Sequence, residues 1–391
     1  MKVTFNKDAL LLAITRSLGC VSNDKTMGSI EGIYIGTSSQ SECMICAYDY
    51  EKGLKTYISA EVEQSGTMVI NGTKLASIVK FMPGRITIET SENGSATISS
   101  GKSKFQLYYI SGENFPPIPE LSPDRFFSLP QNVLRKLINQ TSFAISHDES
   151  RPVLTGLYFE VTPQKVRVVS CDSFRLAIRD VEIDTKLSAK TEGEDEFRFI
   201  LPGKTVNELV RLMEDKDEEI KFSLTRKRVI LSMKMRYGDE ERQTTLFSRL
   251  IDQMYLEYER FIPKESKTFV TLDRRELSDS LERAALVTED RIQGQAKSVV
   301  KLLFEGQMLN VFAESINGKV YNEIQVEKEG PDLLIGFDCK KLIDIVTGCD
   351  DETIKLSLTS SLMSMVVEGA DKEEKNTKFL YLAIPMKMRD N

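Results

Sequence analysis

Apolar residues recur at helical spacing in three segments that follow strand-like runs: Phe5–Ile14, Leu129–Ile138 and Leu272–Leu281. In each, pairs such as Leu10/Ile14, Leu134/Ile138 and Leu277/Leu281 stack one turn apart, which predicts an amphipathic helix. Pro130 suits a first helical turn, and Asp273 can cap the third helix. A second set follows the same logic at Ile70–Val79, Leu201–Val210 and Phe337–Val346, with a turn or cap, one or two lysines, and then an apolar stripe. Leu129 lies 124 residues after Phe5 and Leu272 lies 143 after Leu129; the second set is spaced by 131 and 136. Two series in step predict three tandem copies of one unit.

Alternating and β-branched runs separate and follow the helices. Ile33–Ile35, Leu157–Glu160 and Val300–Phe304 read as strands, each leading to a second at Cys46–Asp49, Ser170–Asp172 and Phe312–Ser315. Further strands are expected at Arg85–Glu89, Lys221–Leu224 and Thr353–Leu358. Each copy is therefore an α+β module of two helices packed on antiparallel sheets. Proline-rich closures at Asn114–Pro119 and Tyr258–Pro263 set the module limits at residues 1–121, 122–258 and 259–391. The acidic stretch 191–196 reads as an exposed loop.

Composition narrows the class. With 41% apolar and 28% charged residues over 391 positions, the chain reads as globular. No run of about 18 apolar residues exists to span a membrane, and the start MKVTFNKD does not read as a secretory leader. The expected location is the cytoplasm, where Asn71 and Asn139 carry no weight as glycosylation sites and six scattered cysteines stay reduced.

Enzyme chemistry is sparse. The one histidine, His147, reads as structural and argues against histidine-based triads or metal sites. Cys43 and Cys46 have CxxC spacing but fall inside a strand pattern with no second pair. Gly101-Lys102-Ser103 and Gly203-Lys204-Thr205 resemble the tail of a phosphate-binding loop, yet Ala96 and Arg198 stand where its first glycine is needed. Asp49 and Asp172 occupy equivalent positions and read as turn formers. No catalytic residue, metal or cofactor is expected.

Charge is segregated. The net charge is −7, yet the six helical stretches sum to +6, leaving −13 elsewhere. Basic helices in an acidic protein suit a sequence-independent surface for duplex backbone phosphates. Arg16, Lys74, Lys80, Arg135, Lys136, Lys204 and Arg211 are the candidates that this charge pattern supplies.

These features, together with Arg151–Gly156, Cys171–Ala177, Leu250–Asp252, Tyr258–Pro263 and the end Tyr381–Met386, resemble the bacterial DNA polymerase III beta subunit (sliding clamp) family over essentially the whole chain. The resemblance implies a head-to-tail homodimer, a ring of six modules around double-stranded DNA with helices lining the hole. It implies a peptide pocket lined by Leu154, Cys171, Ser173, Phe174, Arg175, Leu176, Leu256, Arg260, Ile384, Pro385 and Met386. It implies a dimer interface of Phe105 and Leu107 against Leu286 and Val287, and a DNA contact at Lys25. Implied partners are the polymerase alpha subunit, the clamp loader and other proteins bearing clamp-binding motifs; no membrane partner is implied. The chain departs from the family pattern at Ser173 (usually glycine), Phe174 (often histidine or tyrosine), Leu256 (often proline), and in running on from Lys387 to Asn391. A docking scaffold of the same fold that no longer grips DNA is the second reading, suited by the weakly charged third-module helices. An enzyme is the third.

Overall fold

The computed structural model describes residues 1–22, 28–119, 122–190, 195–288, 299–315, 318–370 and 376–388. All six expected helices form: α1 Lys7–Ser17, α2 Gly72–Phe81, α3 Gln131–Asn139, α4 Gly203–Leu212, α5 Arg274–Thr288 and α6 Cys339–Gly348. Local capping explains four of the starts. Asn6 accepts from the amides of Asp8 and Ala9, and Asn71 from that of Lys74. Asp273 and Asp338 accept from Glu276 and Lys341 at 2.9 and 3.3 Å. Pro130 closes the strand before α3 rather than standing in its first turn, because its rigid φ and missing N–H suit the exit from a ladder equally well.

The contacts divide the chain into two units. One comprises Met1–Leu134, Lys186–Asp195 and Asn207–Leu250; the other comprises Arg135–Thr185, Glu196–Val206 and Ile251–Asn391. The first holds a thirteen-stranded antiparallel sheet; the second holds sheets of nine and four strands. The division runs through the middle module because that module contributes strands to both the thirteen-stranded and the nine-stranded sheet.

Register makes the repeat quantitative. Phe5, Leu129 and Leu272 sit opposite Ile86, Ile220 and Ile354. The next strands bring Ile98, Leu231 and Val367 opposite Phe105, Leu246 and Tyr381. These triples are positional equivalents, buried by the same alternation. All but one are at most 3% exposed; the exception is Phe105, at 48%.

No helix among the described residues is long and apolar enough to cross a membrane. Cys43 and Cys46, three apart on the strand Glu42–Tyr48, point to opposite faces and cannot chelate one ion. Burial pushes the Cys43 thiol up to about 12 and Cys46 higher. Gly101 makes a strand turn at φ +57° and Gly203 opens α4. The acidic loop at 191–194 lies outside the described residues.

Candidate functional site

Two hairpins carry the same local device. Asp49 accepts from the amides of Glu51 and Lys52, at 2.9 and 2.7 Å. Asp172 accepts from those of Phe174 and Arg175, both at 2.9 Å. The intervening residues, Tyr50 and Ser173, take left-handed backbone, with φ of +71° and +72°. The aspartates are turn formers, as their equivalence suggested. The geometry also explains why glycine suits position 173, since only glycine enters this region without cost. Here Ser173 receives a hydrogen bond from Arg151 at 2.9 Å.

The cation that follows each turn is nearly buried and inserts between elements. In the first unit Lys52 donates to the Gly19 carbonyl at the end of α1 and lies 3.7 Å from Glu208 on α4. A Cβ at Gly19 would meet the Glu208 carboxylate, the free end of that side chain, which would have to shift. In the second unit Arg175 donates to the Phe143 carbonyl and to Asp344 on α6. Gly19 and Phe143 are equivalent by the spacing of 124, and Glu208 and Asp344 by the spacing of 136.

Several residues expected to line a pocket lie on or beside the nine-stranded sheet. Cys171, Leu176 and Leu256 join one apolar cluster with Tyr158, Tyr255 and Tyr258. Tyr158 and Tyr255 stack at 4.5 Å. Tyr255 was missed because an aromatic residue inside a connecting segment carries no periodic signal; burial pushes Tyr158 up to about 12. Register then aligns the strand ends. Arg175 and Met365 both pair with Ala383, and the Ile384 amide donates to the Phe174 carbonyl at 3.0 Å. One sheet end therefore presents Phe174 and Ile384, 56% and 42% exposed, beside the turn bearing exposed Leu362 and Met363, which sequence reasoning also missed. Pro385 and Met386 follow, half-buried, with the Met386 amide donating to Gly336.

Three expected pocket residues are placed differently. Leu154 is buried in a single 3-10 turn, and its neighbour Val153 packs on the cluster. Arg175 has its guanidinium occupied by Asp172, Asp344 and the Phe143 carbonyl. Arg260 is exposed and paired with Glu257. Beside Phe174 opens a cavity of about 460 Å³ whose lining includes His147, Arg151, Ser173 and Lys341. The Lys341 ammonium sits 4.0 Å from the Phe174 ring centroid and 2.9 Å from Asp172.

The helix cations also sort by surroundings. Arg16 donates to the Arg236 carbonyl and packs over Tyr237. Arg211 pairs with Glu208 and donates to the carbonyls of Thr15 and Arg16. Lys136 pairs with Asp350 at 2.7 Å while remaining half exposed. Lys74, Lys80 and Lys204 are exposed and Arg135 is half-buried. Lys340, the exposed counterpart of Lys204, was passed over because acidic neighbours cancelled its helix. Lys25 lies outside the described residues. Phe105 and Leu286 are 48% and 78% exposed, not core; Leu107 and Val287 are half-buried.

Family models match in three consecutive pieces. The N-terminal, central and C-terminal domains of the DNA polymerase III beta subunit match residues 1–119, 128–256 and 259–387. The chain belongs to the DNA polymerase III beta subunit family. The beta sliding clamps of Halalkalibacterium halodurans and Bacillus subtilis are 28% and 27% identical, over 96% and 95% of this chain and 97% of each relative. The solved sliding clamp of Bacillus subtilis superposes with a TM-score of 0.88 at 26% identity, covering 100% of both chains. That of Pseudomonas aeruginosa bound to griselimycin gives 0.85 at 26% identity, covering 99% of this chain and 100% of the other. The chain is accordingly a DNA polymerase processivity factor of the sliding-clamp type and not an enzyme.

Proposed function

We propose that two copies close head to tail into a ring around duplex DNA, with modules at 1–121, 122–258 and 259–391, acting in the cytoplasm. Two free strand edges support it. Among the described residues, 103–108 of the strand Ser103–Ser111 pair on one side only, and the strand Gly318–Gln325 has a single neighbour. Their equivalents join within the chain: Lys52 opposite Ser248, and Arg175 opposite Ala383. The same register sets Gly318 opposite Leu107 and Val320 opposite Phe105 of the second copy. Burial agrees: Cys20 and Ala144, the counterparts of Val287, are fully buried, as are Leu246 and Tyr381, the counterparts of Phe105. The exposed apolar side chains of Phe105 and Leu286 are thus those that a third junction would cover.

The helices then face DNA through mobile phosphate contacts, with no base readout to oppose sliding. Arg135, Lys136, Lys204 and Lys340 are the contacts we favour, with Lys25 beside them. Arg16 and Arg211 serve the junction first. Lys74 is equivalent to Lys341 and Lys80 to Arg211, both engaged at a junction, so the two belong beside the second copy. The rim of Phe174, Leu256, Ile384 and Met386, above buried Leu176, receives short apolar peptides of the polymerase alpha subunit, the clamp loader and other motif-bearing partners.

Loading onto nicked circular DNA followed by linearisation tests the ring. Release on linearisation is expected; retention would overturn it. Sedimentation near twice 44.3 kDa is the companion expectation.

A further inference from the structure

We infer that the first junction within the chain carries a second docking site, a basic patch for an acidic, extended polypeptide segment. The patch is complete within one chain, so it does not depend on ring closure. It takes from the docking reading above only a place in the repeat.

At the second junction the exposed apolar rim consists of Phe174, Ile384 and the turn bearing Leu362 and Met363. Asp49 and Asp172 are equivalent, so Glu51 stands where Phe174 does; Leu246 and Tyr381 are equivalent, so Arg249 stands where Ile384 does. The same backbone bond joins both pairs: the Arg249 amide donates to the Glu51 carbonyl at 2.8 Å. The turn Thr225–Arg228 takes the place of Thr359–Ser364, and the Leu250 amide, donating to the Lys227 carbonyl at 2.8 Å, holds its tip beside the strand end. The frame of the rim is kept and its apolar side chains are exchanged for cations.

The fold does not use these cations. Among the described residues, Lys227, Arg228 and Arg249 have no ion-pair partner, whereas Arg226 and Glu51 are engaged. Arg228 lies directly opposite Arg249 across the ladder, where like charges cost stability. Alternation sets Arg228 and Ile230 on the face opposite Val229 and Tyr237, and Arg16 of α1 packs over Tyr237, so the patch faces away from that helix. An aromatic row leads into it: Phe247 lies 5.2 Å from Tyr48, and Tyr48 lies 5.6 Å from Tyr50. Tyr50 is 41% exposed at a left-handed φ that disfavours a bulky side chain. Backbone strain, an exposed aromatic and opposed cations all cost stability, and together they mark a recognition surface.

Cations on this scale fit carboxylates. A single-stranded polynucleotide is charged at every residue and covers roughly 4–16 nucleotides, so it would run off the patch onto a surface that is acidic outside the helices. A peptide can confine its carboxylates to the reach of Lys227, Arg228 and Arg249 and set one apolar side chain against Tyr50.

The test is fluorescence anisotropy on the full-length chain, with a labelled twelve-residue glutamate-rich peptide bearing one central phenylalanine. Arg228→Gln with Arg249→Gln should weaken binding about tenfold while melting no lower than wild type, since a like-charge pair is removed. Tyr50→Gly should weaken it about fivefold and leave the salt dependence unchanged. Phe174→Ala with Ile384→Ala should bind the probe as wild type does, which separates this site from the docking rim. No binding by wild type, or unchanged affinity in the folded Arg228/Arg249 variant, would overturn the inference. So would a labelled twelve-nucleotide oligothymidylate that binds more tightly than the peptide and is lost in the same variants, because the patch would then be a single-strand site.

Discussion

The Ile384 amide donates to the Phe174 carbonyl at 3.0 Å, which holds two exposed apolar side chains side by side at one end of the nine-stranded sheet. Neither side chain is needed for the core, so both can be trimmed with little loss of stability. Phe174→Ala with Ile384→Ala should weaken binding of a polymerase-derived docking peptide by tenfold or more, about 1.4 kcal/mol, while the thermal midpoint moves little. Fluorescence anisotropy with a labelled peptide checks it. Unchanged affinity would mean that the docking rim lies elsewhere. Leu176→Ala is the poorer probe: Leu176 is 3% exposed inside the cluster, and its truncation should cost about 2–5 kcal/mol of folding stability.

Ser173 gives a cleaner test of backbone strain. Its left-handed φ disfavours every side chain, most of all a β-branched one. Ser173→Gly should be neutral to about 1 kcal/mol more stable, the relief of strain being offset by the lost Arg151 hydrogen bond and a more flexible unfolded chain. Ser173→Val should lose about 1–3 kcal/mol. Urea denaturation of the pair decides it, and a valine variant as stable as the glycine variant would count against strain at this turn.

The fold was legible because it repeats. Six helices and nine strand segments fell where periodicity set them, and Asp49 and Asp172 were readable as turn formers from equivalence alone. The junctions were not legible. Lys52 and Arg175 look like ordinary surface cations in the sequence, and only register brings them to Glu208 and Asp344. The same blindness affected the charge count: Arg16, Lys136 and Arg211 add to a basic helix total, yet each is engaged by a carboxylate or carbonyl that lies far away along the chain. Tyr255 and Leu362 sit in a connector and a turn, where no periodicity marks a clustered or exposed apolar residue.

Asp180 predicts a specific acid response. Burial alone would raise its carboxyl, but Arg167 in a bidentate contact at 2.7 and 2.9 Å, and Lys165 at 2.7 Å, outweigh that and hold it below the usual range. A lowered folded-state value means that the unfolded chain binds the proton more readily. The contribution is therefore complete above about pH 4 and is lost as pH falls through the folded value. Asp180→Asn should cost about 1–3 kcal/mol at pH 7, with the gap to wild type narrowing below about pH 4. Denaturation curves at pH 7 and pH 3 measure both. A gap that stays constant with pH would assign the loss to packing instead.

Asp350 is the acceptor for three donors at once: Arg179, Gln140 and Lys136. Arg179 is the decisive one, since its side chain is only 2% exposed and packs over Phe379 with one guanidinium nitrogen already lacking a partner. Asp350→Ala would leave that charge buried and uncompensated, which should cost about 3–5 kcal/mol. Lys136→Ala removes only the half-exposed member and should cost about 0–1 kcal/mol. The double substitution Asp350→Leu with Arg179→Met takes away both charges and should recover much of the single-variant loss. Recovery is the informative readout. If the charge-free pair is as unstable as Asp350→Ala, shape at this position outweighs charge, and Asp350 is not the hub that its three donors suggest.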